Sequence, residues 1–145
     1  MSAPDDILIL LAAGSAQRMQ ATVDDKITAP LAGLPVFLHS LKTFQATGLI
    51  SRVVITYRNE DQKARMLTML AAHPNGDLRI DFVPGGDSRQ DSVLAALSAC
   101  EGHTGLVHIH DGARPLVSPE AIRKVRAKAF ETGAAILAGR AADTV

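Results

Sequence analysis

Tryptophan is absent from this sequence of 145 residues, cysteine occurs once, and aromatic side chains make up only 3%. A single thiol, Cys100, can form neither an intrachain disulfide nor a cysteine-rich zinc site. It lies in an apolar helical stretch and is expected to be a small core residue. With so few rings, the core has to be built from Leu, Ile, Val and Ala. An excess of charge of one sign is also missing, because Lys plus Arg and Asp plus Glu number 15 each. That balance speaks against a dedicated nucleic-acid surface, which normally carries a basic excess. It does not speak against one bound nucleotide, for which a few local cations suffice. No apolar run reaches the length of a bilayer span. The acidic start Met1-Ser2-Ala3-Pro4-Asp5-Asp6 lacks the positive region and cleavage site of a signal peptide. A cytoplasmic, reduced compartment is therefore the expectation.

What is present is a soluble balance of 47% hydrophobic and 21% charged residues, arranged as alternating strand and helix signals. Ile7-Leu8-Ile9-Leu10-Leu11 is apolar on both faces, as in a central parallel strand. Phe37, Leu41 and Phe44 then recur at helical spacing before Gly48, and Arg52–Tyr57 is a β-branched second strand. Asn59 with Gln62 three residues on marks a helix start, with Ala64, Leu67 and Ala71 as the expected buried face and His73-Pro74-Asn75-Gly76 as its end. Leu78–Val83 alternates as a third strand. Ser88-Arg89-Gln90-Asp91 is a capping box ahead of an apolar face of Val93, Leu97 and Cys100. Leu106–His110 is a fourth strand, and Ser118-Pro119-Glu120 opens a helix with Ile122, Val125 and Ala129 as its stripe. Ala134–Ala138 predicts a fifth strand.

Alternation of this kind implies a parallel sheet covered on both faces. Ligands in such folds sit beyond the carboxyl ends of the strands. Three loops are selected by that rule: Gly14 to Lys26, Pro84 to Arg89, and Asp111 to Pro115. In the first, small residues let backbone N–H groups approach an anion, and Arg18 and Lys26 add charge. It fits neither a Walker A loop nor a dinucleotide fingerprint, and an ordinary turn with a surface Arg and Lys is the alternative. In the second, Gly85-Gly86 leaves room for a flat ligand, with Asp87, Arg89 and Ser92 as hydrogen-bonding groups; a plain turn with a helix cap is the alternative. In the third, Asp111 at a strand tip could take a hard cation such as Mg²⁺. Otherwise it pairs with Arg114, or joins His108 and His110 in a metal-dependent hydrolase site.

Taken together, Leu11-Ala12-Ala13-Gly14 with Arg18-Met19, Gly85 to Val93, and His110-Asp111-Gly112-Ala113-Arg114-Pro115 resemble the 2-C-methyl-D-erythritol 4-phosphate cytidylyltransferase family. Leu31–Val36 and Leu38–Leu41 resemble its segment leading into the first helix. The resemblance implies a Rossmann-like three-layer α/β sandwich of nucleotidyltransferase type, with a mostly parallel sheet and its C-terminal part missing. Residues 1–145 would be the nucleotide-binding part of a single domain. It implies CMP transfer from CTP to a sugar-alcohol phosphate, with pyrophosphate release, Mg²⁺ and a homodimer in the full-length enzyme. Backbone at Ala12, Ala13 and Gly14 would line the CTP site, with Gly86, Asp87, Arg89 and Ser92 around cytosine and ribose. Asp111 would hold Mg²⁺, Gly112 would pack near the ribose, Arg18 and Lys26 would neutralise the triphosphate, and Thr144 would lie near the acceptor. The chain departs from the family pattern at Ala16, usually Gly, and at Asp25-Lys26-Ile27, usually Pro-Lys-Gln. The latter resembles molybdopterin-type enzymes, so molybdopterin or ribitol 5-phosphate are alternative acceptors, and a non-catalytic nucleotide-binding module is the alternative outside enzymes.

Overall fold

A strand without a polar face needs cover on both sides, and β1 (Asp6–Leu11) has it: all six residues are buried. The computed structural model describes residues 5–14 and 25–140. After β1 comes a short hairpin, β2 (Pro30–Leu31) and β3 (Leu34–Pro35), turned by Ala32 and Gly33 at φ 49° and 81°. Two successive positive φ values are what a tight two-residue hairpin turn requires. Then follow α1 (Val36–Ala46), β4 (Ile50–Tyr57), α2 (Glu60–Ala72), β5 (Arg79–Pro84), α3 (Arg89–Ser98), β6 (Val107–Asp111) and α4 (Pro119–Thr132).

β1, β4, β5 and β6 form one sheet in the order β5-β4-β1-β6, parallel at every pairing. The parallel sheet is the one expected from the alternation of elements, and the α/β architecture is the one the family resemblance implied. The connection reverses direction between β1 and β6, which makes their carboxyl ends the topological switch point where ligands bind. Because strand side chains alternate, Leu8 and Leu10 enter one core with Phe37, Leu41 and Phe44 of α1, Met66 and Leu70 of α2, and Ile122 of α4. Ile7, Ile9 and Leu11 enter the other, with Val54, Ala96 and Cys100 on the α3 side. Cys100 is a buried core thiol, as expected.

Helix starts follow their sequence signals. Asn59 accepts from the Gln62 N–H, Ser88 and Asp91 form a reciprocal capping box, and Ser118 accepts from the Ala121 N–H ahead of Pro119. The buried faces of two helices differ from expectation. Ala64, Leu67 and Ala71 of α2 are exposed, and the buried stripe is Gln62, Met66 and Leu70. On α3, Ser92 and Ala96 are buried and lead on to Cys100, whereas Leu97 is exposed and Val93 only partly buried. In both helices the stripe runs i, i+4, i+8 and begins at a polar residue, so hydrophobic periodicity chose a neighbouring stripe. The expected fifth strand is not formed among the described residues: 134–138 have no ladder partner there, and Ile136 and Leu137 are exposed. An apolar run becomes a strand only when a neighbour takes its N–H and C=O groups.

At the amino ends of the strands α4 is anchored by charge. Asp6, buried at the start of β1, accepts from His108 Nε2 at 2.8 Å and from Arg126 Nη2 at 3.2 Å. Burial pushes the Asp6 carboxyl up, but the hydrogen bonds and charges of Arg126 and His108 outweigh it and hold the group below its ordinary value. A depressed carboxylate stabilises the fold above its unfolded pKa, and that contribution is lost as pH falls through the folded value. Asp6→Asn should therefore lose about 3 kcal/mol at neutral pH, because it leaves Arg126 partly unpaired. In urea denaturation the gap to wild type should begin to narrow as the pH nears 3.8, the ordinary aspartate value, and close only below the depressed folded value. A gap independent of pH would show that the pair adds nothing.

Candidate active site at the strand tips

Beyond Leu11 the chain leaves the ladder, and its backbone groups are taken up one by one. The Leu11 carbonyl accepts from the Gly112 N–H at 2.8 Å. The Ala12 N–H donates to Thr56 Oγ1 at 3.1 Å, and the Ala12 carbonyl accepts from Gln62 Nε2 at 3.0 Å. The Gly14 carbonyl faces Arg58 Nη1 at 3.4 Å. Ala13 and Gly14 come progressively to the surface, which leaves small, accessible backbone at the switch point.

The second loop lies on the first. Gly85 N–H donates to the Tyr57 carbonyl at 2.8 Å, and a Cβ at Gly85 would come within 2.2 Å of the Ala13 Cβ. Only a residue without a side chain permits that approach. Gly86 N–H donates to Ser92 Oγ at 3.1 Å, and that hydroxyl donates to the Ser88 carbonyl at 3.1 Å. Ser92, at 5% exposure, therefore holds the glycine bend to α3 and keeps one lone pair in reserve. Asp87 and Arg89 are exposed at the crevice.

The third loop is fixed from beneath. The Arg114 carbonyl accepts from Ser40 Oγ and from His110 Nε2, both at 2.9 Å. Burial pushes the His110 pKa down, which keeps the ring neutral and suits this Nε2–H donor. Gly112 packs so closely that a Cβ there would lie 3.0 Å from the Leu11 oxygen and 3.4 Å from Ile27 Cδ1. Asp111 is held between two guanidinium groups, Arg89 Nε at 3.1 Å on Oδ1 and Arg114 Nε at 3.2 Å on Oδ2. β5 and β6 stand at opposite edges of the sheet, yet the loops after them meet across its carboxyl end through Arg89 and Asp111.

Of the residues expected at a site, Ala12, Ala13, Gly14, Gly86, Asp87, Arg89, Ser92, Asp111 and Gly112 all lie on these three segments. Lys26, partly exposed, follows the buried Asp25 in a turn between β1 and α1. Arg18 and Thr144 lie outside the described residues. The hydrolase alternative loses its metal site. His108 is bound to Asp6, His110 to a carbonyl, and among the described residues no three His, Cys, Asp or Glu side chains cluster to hold a metal. Sequence reasoning missed Arg58, Thr56, Gln62 and Ser40. Arg58 carried a usable signal, a cation directly after the second strand; the others are polar residues inside apolar elements.

Residues 7–145 match the family model described as 2-C-methyl-D-erythritol 4-phosphate cytidylyltransferase. A protein of that name from Bacillus licheniformis is 37% identical over 138 residues, taking in 95% of this chain and 58% of its own length. A chloroplastic one from Oryza sativa subsp. japonica is 40% identical over 130 residues, 90% of this chain and 42% of its own length. The chain thus spans about half the length of the curated relatives it matches. The crystal structure of a 4-diphosphocytidyl-2C-methyl-D-erythritol synthase from Anaerococcus prevotii is similar at a TM-score of 0.69, covering 90% of this chain and 52% of that one. At 24% identity that likeness speaks for the fold alone.

Seating Gly85 on Ala13 makes a sharp prediction. Gly85→Ala should lower stability by about 1–3 kcal/mol through overpacking. Adding Ala13→Gly should recover at least half of that loss in a double-mutant cycle read by urea denaturation. Strictly additive costs would mean that the two loops do not touch.

Proposed function

The chain belongs to the 2-C-methyl-D-erythritol 4-phosphate cytidylyltransferase family, and we propose that it supplies the nucleotide-binding part of an enzyme transferring CMP from CTP to 2-C-methyl-D-erythritol 4-phosphate. The observation that carries the reading is the meeting of three segments at the switch point: Gly85 on Ala13, Gly112 on Leu11, and Arg89 on Asp111. A phosphate oxygen of the acceptor attacks the α-phosphorus of CTP. A new P–O–P bond forms, the bond to the bridging oxygen breaks, and pyrophosphate leaves with the electron pair. No covalent enzyme intermediate is required, so alignment and charge stabilisation supply the catalysis.

Backbone at Ala12, Ala13 and Gly14 lines the phosphate site, Arg18 and Lys26 neutralise the triphosphate, and Arg58 adds a third cation at the same rim. Gly86, Asp87, Arg89 and Ser92 surround cytosine and ribose, with Gly112 near the ribose and Thr144 near the acceptor phosphate. The donor set fits Mg²⁺ in the manner usual for nucleotide sites, with one carboxylate from the protein and the other ligands from phosphate and water. Asp111 is that carboxylate, and it would have to release Arg89 and Arg114 to serve. When bound, the ion would neutralise charge on the triphosphate. Release of both guanidinium groups would leave them free for anionic oxygens of the substrates. A cytoplasmic location agrees with a lone, buried thiol and with the lack of any membrane-length apolar helix among the described residues. We assign the working assembly to a homodimer on the family resemblance alone.

Pyrophosphate release by the full-length protein, with CTP and each acceptor in turn, tests the reading. Turnover is expected with 2-C-methyl-D-erythritol 4-phosphate, and Lys26→Met should reduce kcat by about 10²-fold or more. Preference for ribitol 5-phosphate or molybdopterin would replace the acceptor. CTP binding without turnover of any acceptor would leave a non-catalytic nucleotide-binding module.

A further inference from the structure

Gln62 is a polar side chain with no exposure to solvent, set in the first turn of α2 among Met66 and Leu70. Its amide nitrogen donates to the Ala12 carbonyl at 3.0 Å and to Asp25 Oδ2 at 2.9 Å. Its Oε1 accepts from the Arg58 N–H at 2.7 Å. Both donors and one acceptor of the amide are thus used, and they join three segments: the tip of β1, the turn before α1 and the tip of β4.

The Asp25 end of this link is equally ordered. Asp25 is 3% exposed; its second carboxylate oxygen accepts from the Ile27 N–H at 3.1 Å, and its carbonyl accepts from the Ala29 N–H at 3.1 Å. These bonds close one turn of chain around Lys26. The turn is then tied to α1, because the Ile27 and Ala29 carbonyls accept from the Phe37 and Val36 N–H groups at 3.1 and 3.0 Å. A carboxylate so far from water is costly unless its oxygens are bonded, and Gln62 satisfies the one that the Ile27 N–H does not. If α2 needed only apolar anchorage here, Met66 and Leu70 show what would serve.

We propose that Gln62 is a positioning residue: through Asp25 and the Ala12 carbonyl it holds Lys26 in register with the Ala12-Ala13-Gly14 backbone, so that both reach the same polyphosphate. The proposal rests on the reading of this site as a triphosphate site, and it adds a residue that acts on the substrate only through others.

Gln62→Met keeps the length of the side chain and removes its three side-chain hydrogen bonds; Asp25→Asn keeps the shape of the turn and weakens its acceptors. In the full-length protein each should lower kcat/KM for CTP by up to about 10²-fold, as expected for a misplaced catalytic group. The double variant should lose little more than the worse single one. Affinity for inorganic triphosphate, measured by calorimetry, should fall about tenfold in both, the equivalent of one lost hydrogen bond. A folded Gln62→Met protein with CTP kinetics and triphosphate affinity within about twofold of wild type, below the scale of a single hydrogen bond, would overturn the proposal. Should Gln62→Met fail to fold, the same result for Asp25→Asn would overturn it. Wild type that binds triphosphate but releases no pyrophosphate from CTP would defeat the functional reading; the fall in triphosphate affinity in the variants would still uphold the positioning role.

Discussion

Between Leu11 and Gly14 the central strand runs out of ladder partners while still at the middle of the sheet. Four of the polar backbone groups released there are met by four different neighbours: Leu11 O by Gly112, Ala12 N–H by Thr56, Ala12 O by Gln62 and Gly14 O by Arg58. Buried N–H and C=O groups have to be paired somewhere, so this demand draws β4, α2 and the loop after β6 to one place. The glycine bend after β5 joins them by contact, Gly85 against the Cβ of Ala13. The crevice follows from how the central strand ends.

Two helices aim their amino ends at this crevice, and each commits a buried polar residue to it. Gln62 and Ser92 begin the buried stripes of α2 and α3, and both bond to loop backbone near the strand tips. A hydroxyl or amide in such a place is costly unless every demand is met. Meeting it ties helix packing to loop geometry, so the same side chains that seat the helices also shape the site.

Charge is arranged differently at the two ends of the sheet. At the amino ends Asp6 is buried with His108 and Arg126, and the group docks α4. At the carboxyl ends Asp111 is partly exposed between Arg89 and Arg114, which are mostly in solvent. Exposed pairs are weak and exchangeable, whereas breaking a buried one leaves a stranded charge. One cluster therefore suits anchorage, and the other suits exchange of partners with an anionic ligand and its cation.

Much of this was legible in the chain itself. A parallel sheet could be anticipated from alternation of elements, because parallel neighbours need a helical crossover between them. The caps at Asn59, Ser88 and Ser118 are local chemistry, and glycines beside strand ends mark close backbone approach. The stripes of α2 and α3 were not legible, since Gln62 and Ser92 look like surface residues until their hydrogen-bond partners, 50 and 6 positions away in sequence, are known. Nor was Asp25 readable as a buried group, standing where the family pattern has Pro. Residues 134–138 carry a strand's composition without a strand's neighbour among the described residues. Sequence by itself determined the four strands of the main sheet, the helices between them and the loops that carry chemistry, because those rest on short-range pattern. Tertiary structure alone decided which polar side chains are buried and which loops touch, because pairing of buried hydrogen-bonding groups is settled between segments far apart in the chain.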